Sequence, residues 1–322
     1  MFSSRNRAIG KAHSKLILIG EHAVVYGQPA IALPFPTLTV TCAIEEADSG
    51  IHLDSKLYSG PIVQIPKRLK GLAICIHKTI QEIGKHHNGL LLKIESMIPI
   101  GRGLGSSAAI AVAIVRSLFQ YFNCELSDEK LRELVNIAET YAHGNPSGID
   151  MESVCCDEPI WFERGKGIAS VAIRSSFYIV VADTGRAGDT RSAVGSIKHK
   201  LDKSPIQTKQ SIDRIGQYTL DARNALIQGN LVQLGLLLNL AQTELEKLGV
   251  SDHGINHLVN IARNAGALGA KLTGGGRGGC IIALAENCVQ AREISEQLNQ
   301  NGAKRTWSFK VEETQQIQSI TS

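Results

Sequence analysis

The sequence predicts a chain of mixed helices and strands in about two domains, on three observations. The chain has 322 residues, a length that suits about two domains or one large α/β unit and buries roughly three-quarters of its surface on folding. Short apolar strands and helices alternate up to about residue 183, and the texture then turns helical over about 188–248. The chain closes with helix, strand, strand, helix and strand, so a boundary falls near 183–190, dividing it into 1–185 and 186–322.

In chain order, Leu16–Gly20 reads as a short buried strand. Leu38, Val40, Cys42 and Ile44 alternate with polar or small residues, the period of a strand, and Asp48-Ser49-Gly50 turns the chain. Leu69, Leu72, Ala73, Ile76, Ile80 and Ile83 recur at helical spacing before Gly84, a helix-ending glycine. Leu90, Leu92 and Ile94 mark a strand, and Ala108–Phe122 an apolar helix. Ser127 caps the next helix, with Asp128 and Glu129 in its first turn and Leu131, Leu134, Val135 and Ala138 as its apolar stripe. Phe177–Ala182 is a compact buried strand. The helical region breaks near Pro205 and at Gly229-Asn230. Helix 252–265, strand 269–273, strand 280–285, helix 288–300 and strand 304–311 complete the chain. Nothing repeats at 20–50 residues, which excludes a solenoid.

Composition narrows the function classes. Apolar residues make 43% of the chain and charged residues 20%, too apolar for disorder. The net charge is +4, from 34 Lys and Arg against 30 Asp and Glu. These are scattered rather than gathered in a basic stripe, which argues against nucleic acid and leaves room for an anionic small substrate. Seven cysteines without a CxxC pair fit reduced thiols better than a metal finger or a secreted disulfide frame. The apolar run Leu16–Ile19 is too short for a signal peptide, and no run approaches 18 apolar residues. A cytoplasmic protein without a membrane segment is expected.

Three segments carry chemistry. In Pro99-Ile100-Gly101-Arg102-Gly103-Leu104-Gly105-Ser106-Ser107, glycines between a strand and a helix let backbone N–H groups turn toward one point, and the helix N-terminus adds a positive dipole end. Together they form an anion nest suited to a di- or triphosphate. No Lys-Ser or Lys-Thr follows, so it is not a Walker loop, and its glycine spacing is not the dinucleotide fingerprint. A serine hydroxyl at the helix start can cap the helix or ligate Mg²⁺. The second segment is His143-Gly144-Asn145-Pro146-Ser147-Gly148-Ile149-Asp150, preceded by Glu139. Helical spacing aims Glu139 inward with the apolar stripe, where a carboxylate needs an ionic partner or a metal. Asp150 follows a tight turn and is either a helix-starting acid or an acceptor for a substrate proton. The third, Lys271-Leu272-Thr273-Gly274-Gly275-Gly276-Arg277-Gly278-Gly279-Cys280, holds five glycines in six residues. So many glycines are costly in chain entropy, and close approach of backbone to a ligand accounts for them better than a hairpin does.

Gly103-Leu104-Gly105-Ser106-Ser107-Ala108-Ala109 and Lys271-Leu272-Thr273-Gly274-Gly275-Gly276 resemble the phosphate loop and the third motif of the GHMP kinases, the galactose, homoserine, mevalonate and phosphomevalonate kinases. Gly20-Glu21-His22-Ala23-Val24-Val25-Tyr26-Gly27 and His143–Asp150 are most similar to the members that act on mevalonate. Galactose-specific members carry an acidic residue after Gly-Glu-His, where this chain has Ala23-Val24, and phosphomevalonate-specific members usually carry Tyr at the place of His22. The chain departs from the pattern at 12–14, Ala-His-Ser, and at Arg277, where a small residue is usual.

The resemblance implies a two-domain α+β fold, the N-terminal half like ribosomal S5 domain 2 and the C-terminal half ferredoxin-like. It implies an ATP- and Mg²⁺-dependent kinase of isoprenoid precursor synthesis that phosphorylates the 5-hydroxyl of mevalonate, as a homodimer. Another small-molecule kinase of the family, for phosphomevalonate or a sugar, and a non-catalytic ligand-binding regulator are the alternatives. Carried over by residue, the ATP phosphates contact Pro99, Gly101, Gly103, Leu104, Gly105, Ser106, Ser107 and Ala108. Ser107 and Glu139 take the metal positions. Asp150 takes the position of the proton acceptor, and Lys15 that of the lysine that lowers the pKa of the hydroxyl. Glu21, His22, Gly148 and Thr190 line the acceptor pocket.

Overall fold

The computed structural model describes residues 8–144 and 147–314. Asn145 and Pro146 of the second motif lie outside them. The fold is α+β with two sheets, and the chain forms two compact units, each assembled from several stretches. The first takes Met1–Lys15, Pro34–Ile100 and Leu104–Asp157; the second takes Leu16–Leu33, Gly101–Gly103 and Glu158–Ser322.

In the first unit the strands are β1 (Ala8–Ile19) and β2 (Ala30–Glu46), whose inner ends belong to the second unit, with β3 (Gly50–Ser55), β4 (Tyr58–Pro61) and β5 (Gly89–Ser96). They run in the order β4-β3-β5-β2, and β1 pairs with β2. β2 and β5 are antiparallel, β3 and β5 parallel. The helices are α1 (Lys70–Ile83), α2 (Ser106–Tyr121), α3 (Asp128–His143) and α4 (Ile149–Cys155). α1 ends at Gly84 in the left-handed conformation, as its sequence predicts. The Ser127 hydroxyl accepts from the Lys130 N–H at 3.2 Å and caps α3. α2 is apolar on nearly every face and buried accordingly, from Ala108 to Phe119.

The second unit pairs Ala30–Ala32 of β2 with β6 (Ile160–Glu163), which pairs with β7 (Gly167–Ser170). Its larger part is β8 (Phe177–Asp183), α5 (Thr190–Lys203), α6 (Pro205–Gln228), α7 (Leu231–Leu248), α8 (His253–Asn264), β9 (Gly269–Thr273), β10 (Cys280–Ala285), α9 (Cys288–Gln300) and β11 (Arg305–Val311). These four strands are antiparallel in the order β11-β8-β10-β9. Numbered among themselves the order is 4-1-3-2, the ferredoxin-like arrangement expected for this half. One apolar core, including Val180, Ile215, Leu245, Val259, Ile281 and Ile294, joins that sheet to its helices.

Candidate active site

The first unit builds a lysine–carboxylate pair against the glycine loop. Lys15 lies at the end of the first unit's share of β1 and is 1% exposed. Its backbone N–H donates to the Leu104 carbonyl at 3.3 Å, and the neighbouring Ser14 hydroxyl donates to the same oxygen at 2.7 Å. The Lys15 ammonium forms an ion pair with the Asp150 carboxylate. Asp150 stands in the first turn of α4, after Gly148 in the left-handed conformation, and its side chain stays about half exposed. A buried cation thus meets a reachable anion.

Gly105 is the residue that lets the loop pass Lys15. Its φ is +71°, and a Cβ there would stand 2.9 Å from Lys15 Cγ and 3.3 Å from Val154 Cγ2. Gly101 and Gly103 also have positive φ. α2 then starts at Ser106 with Gly105 as its cap, and a glycine cap offers no side-chain acceptor. The first-turn N–H groups keep their capacity for an anion. Ser107 is exposed on that turn, Leu104 and Ala108 are buried, and Pro99 and Ser106 are half-buried.

Glu139 is 2% exposed on α3, inward as its spacing predicts, and α3 packs against α2. Ser107 and Glu139 offer a hydroxyl and a carboxylate, hard oxygen donors of the kind Mg²⁺ takes. Among the described residues no three His, Cys, Asp or Glu side chains converge to hold a metal ion.

The second unit gathers the other candidates. Glu21 and Lys271 form an ion pair at 1% and 0% exposure, and the Lys271 ammonium also donates to the Leu272 carbonyl at 2.6 Å. His22 follows Glu21 with φ 60° and ψ −45°, and the Gly275 backbone is among the groups that act on its ring. Burial, with the Lys271 and Arg277 charges adding to it, holds the His22 imidazole at a pKa of about 4 against its ordinary 6.5. A Cβ on Gly275 would fall 2.0 Å from the Thr190 hydroxyl, so Thr190, His22 and the third glycine loop share one corner of the unit.

The glycines of the third loop also lie against protein backbone. A Cβ on Gly274 would meet Gly103 backbone at 2.8 Å, and one on Gly276 the Val250 carbonyl at 2.2 Å. Cβ atoms on Gly278 and Gly279 would approach the carbonyls of Ala187 at 2.5 Å and Arg102 at 3.0 Å. Arg277 holds a left-handed φ of 53° and bonds Ser192 and Ser196 Oγ, each at 2.7 Å, and the Gly249 carbonyl at 3.2 Å. It fastens the loop to α5 and to the end of α7. The sequence reading missed two anchors, Lys271 and the Arg102–Asp183 ion pair at 2.8 Å. A lysine directly before a buried strand residue and a glycine run was the signal for the first; the second had none.

Comparison with known proteins follows the same lines. The GHMP kinases N terminal domain matches residues 69–156, and the GHMP kinases C terminal domain matches 222–304. A mevalonate kinase of Thermococcus onnurineus is 33% identical over 300 residues, covering 87% of this chain and 89% of that relative. The crystal structure of L. major mevalonate kinase in complex with R-mevalonate superposes with a TM-score of 0.83 at 29% identity, over 97% of each chain. That of mevalonate kinase from methicillin-resistant Staphylococcus aureus gives 0.70 at 32% identity, over 95% of this chain and 99% of that one.

Proposed function

The chain belongs to the GHMP kinases, and from that membership we propose that it transfers the terminal phosphoryl group of ATP to the 5-hydroxyl of mevalonate, giving 5-phosphomevalonate. The observation that carries the reading is the Lys15–Asp150 pair packed on Gly105 of the phosphate loop. Phosphoryl transfer asks for positioning and charge neutralisation more than for covalent help. In this reading Asp150 accepts the proton of the hydroxyl as its oxygen bonds the γ-phosphorus and the bond to the ADP oxygen breaks. The Lys15 ammonium lowers the pKa of that hydroxyl and steadies the developing charge. The phosphates rest on Pro99, Gly101, Gly103, Leu104, Gly105, Ser106, Ser107 and Ala108. When bound, Mg²⁺ supplies neutralisation of phosphate charge, and Ser107 and Glu139 are the side chains that would hold it. Glu21, His22, Gly148 and Thr190 bind the acceptor.

The two family matches, 69–156 and 222–304, fall on either side of residue 185 and support modules 1–185 and 186–322. A cytoplasmic homodimer is the expected working form. All seven cysteines are free thiols, as a reducing compartment keeps them. No helix among the described residues is long and apolar enough to cross a membrane.

ADP release with mevalonate, phosphomevalonate, galactose and homoserine tests the reading. Turnover with mevalonate alone is expected. Preference for another acceptor makes the chain a different kinase of the family, and ligand binding without ADP release makes it a regulator.

A further inference from the structure

The proposed proton acceptor stands on a helix that cannot place itself. Asp150 belongs to α4, which has seven residues, well below the length at which a helix holds its own shape. Among the described residues Asp150 makes one ion pair, with Lys15. The apolar side of α4, with Ile149, Met151 and Val154, is buried, and the helix packs against α2 and α3. Such burial is non-directional. It sets the roll of the helix about its axis less closely than a directional polar contact does, and the roll decides where the Asp150 carboxylate points.

A directional contact comes from Arg132 on α3. Its Nε–H donates to Glu152 Oε2 at 2.9 Å, and a terminal amino group of the same guanidinium donates to the Cys156 sulfur at 3.6 Å. Glu152 and Cys156 are four residues apart, about one helical turn, so one planar fork grips the end of α4 at two points. The Arg132 and Glu152 side chains are 27% and 17% exposed, which shelters the pair from solvent more than an open surface would. Glu152 follows Asp150 by two residues, about 200° around the helix. Lys15 of β1 therefore holds α4 on one side through Asp150, and Arg132 holds it on the other through Glu152. A roll of α4 about its axis pulls on both pairs at once.

We propose that Arg132 is a positioning residue for phosphoryl transfer: by gripping Glu152 and Cys156 it fixes the roll of α4, and so the direction in which Asp150 presents its carboxylate to the hydroxyl that loses its proton. Arg132 acts through α4 and not on the substrate. The inference rests on the role given to Asp150 above, and its test separates the two.

The test is a double-mutant cycle on kcat, read beside amide hydrogen exchange across residues 149–155. Arg132→Met keeps most of the stem of the side chain and removes the fork. Its kcat should fall about tenfold or more, since an ångström of misplacement at the reacting centre costs up to about a hundredfold. The KM for ATP and the KM for mevalonate should each stay within about twofold. Glu152→Gln cuts the same contact from the α4 side and keeps the shape of the side chain; it should show the same loss, and it serves if Arg132→Met does not fold. Arg132→Lys should recover part of the rate, because an ammonium is a point charge and cannot span Glu152 and Cys156 together. In an Asp150→Asn background no carboxylate remains to be aimed, so Arg132→Met should lower kcat further by less than about twofold. Exchange within α4 should rise in both single variants, as expected of a helix that has lost a tether. The proposal falls if Arg132→Met costs the same factor in both backgrounds, the pattern of a residue that merely supports the fold. It falls equally if the folded single variants keep kcat, or if exchange in α4 does not change. If the wild type phosphorylates no acceptor, or Asp150→Asn keeps its kcat, the role given to Asp150 fails and takes this inference with it, and exchange in α4 then shows separately whether Arg132 holds the helix.

Discussion

At the scale of single residues, Asp150 and His22 make opposite demands on their surroundings. Asp150→Asn keeps the shape of the side chain and removes the anion paired with Lys15. We expect kcat to fall at least about a hundredfold, or ~2.7 kcal/mol, the lower range for a general base. Nucleotide affinity should change little, because the loop glycines are untouched. Steady-state kinetics with nucleotide binding and a thermal melt check this; a folded variant keeping more than about a tenth of kcat removes Asp150 from the role. His22 is neutral when folded, with a pKa of about 4 against 6.5. Below pH 6.5 the unfolded chain binds a proton that the folded chain refuses, so stability falls as pH drops from 6.5 toward 4. The loss amounts to about 3 kcal/mol. Asn tolerates positive φ, so His22→Asn keeps the turn and lacks the titration. Melts of both proteins from pH 4 to 7 should converge as the pH falls; parallel curves would mean that His22 is not the group responsible. Lys15, Glu21, His22 and Asp150 were legible as motif residues. Lys271 was legible only as part of a motif, because its partner Glu21 lies 250 residues away, a separation no local pattern spans.

Among elements, periodicity succeeded where an element was long enough to repeat. The helical stretch 188–248 resolved into α5, α6 and α7 with breaks at Ser204-Pro205 and Gly229-Asn230, where Pro supplies no N–H and Gly takes the left-handed cap. β3, β4, β6, β7 and α4 went unread: none exceeds seven residues, and Tyr58-Ser-Gly-Pro has no alternation to detect. The third glycine loop was legible as a run, but the carbonyls and Cα atoms that its glycines meet come from distant stretches, which no local pattern shows. This distinction is testable. Gly274 and Gly165 have φ of +79° and +80°, but a Cβ at 274 meets Gly103 backbone at 2.8 Å while one at 165 meets nothing within 4 Å. Gly165→Ala should cost only the backbone strain, about 1 kcal/mol. Gly274→Ala should cost about 1–3 kcal/mol more and raise the KM for ATP, because Gly103 belongs to the phosphate loop. Equal denaturation midpoints and an unchanged KM would return the third loop to a plain turn.

For the whole molecule, the ferredoxin-like order of the second sheet follows from the final helix–strand–strand–helix–strand pattern, because a right-handed connection and short turns leave few alternatives. The membership of β1 and β2 in both units does not follow, because the pattern shows only Leu16–Gly20 and Leu38–Ile44 of strands that run Ala8–Ile19 and Ala30–Glu46. Assembly is the remaining question at this scale, and the surface of α7 bears on it. Val232, Leu236 and Leu240 stand at 72%, 50% and 37% exposure, at intervals of four residues that align them on one face. Three side chains supply far less than the ~800 Å² per partner of a stable interface, so they would serve as its apolar centre within a polar rim. A second copy of the chain is the partner expected. Sedimentation at micromolar concentration should give twice the mass of the chain. Leu236→Glu, which places a carboxylate at the centre of that stripe, should shift the protein to monomer with its melting temperature nearly unchanged, since half of the side chain already faces solvent. A monomeric wild type would remove the homodimer. A dimeric Leu236→Glu would keep the dimer and move its interface off α7.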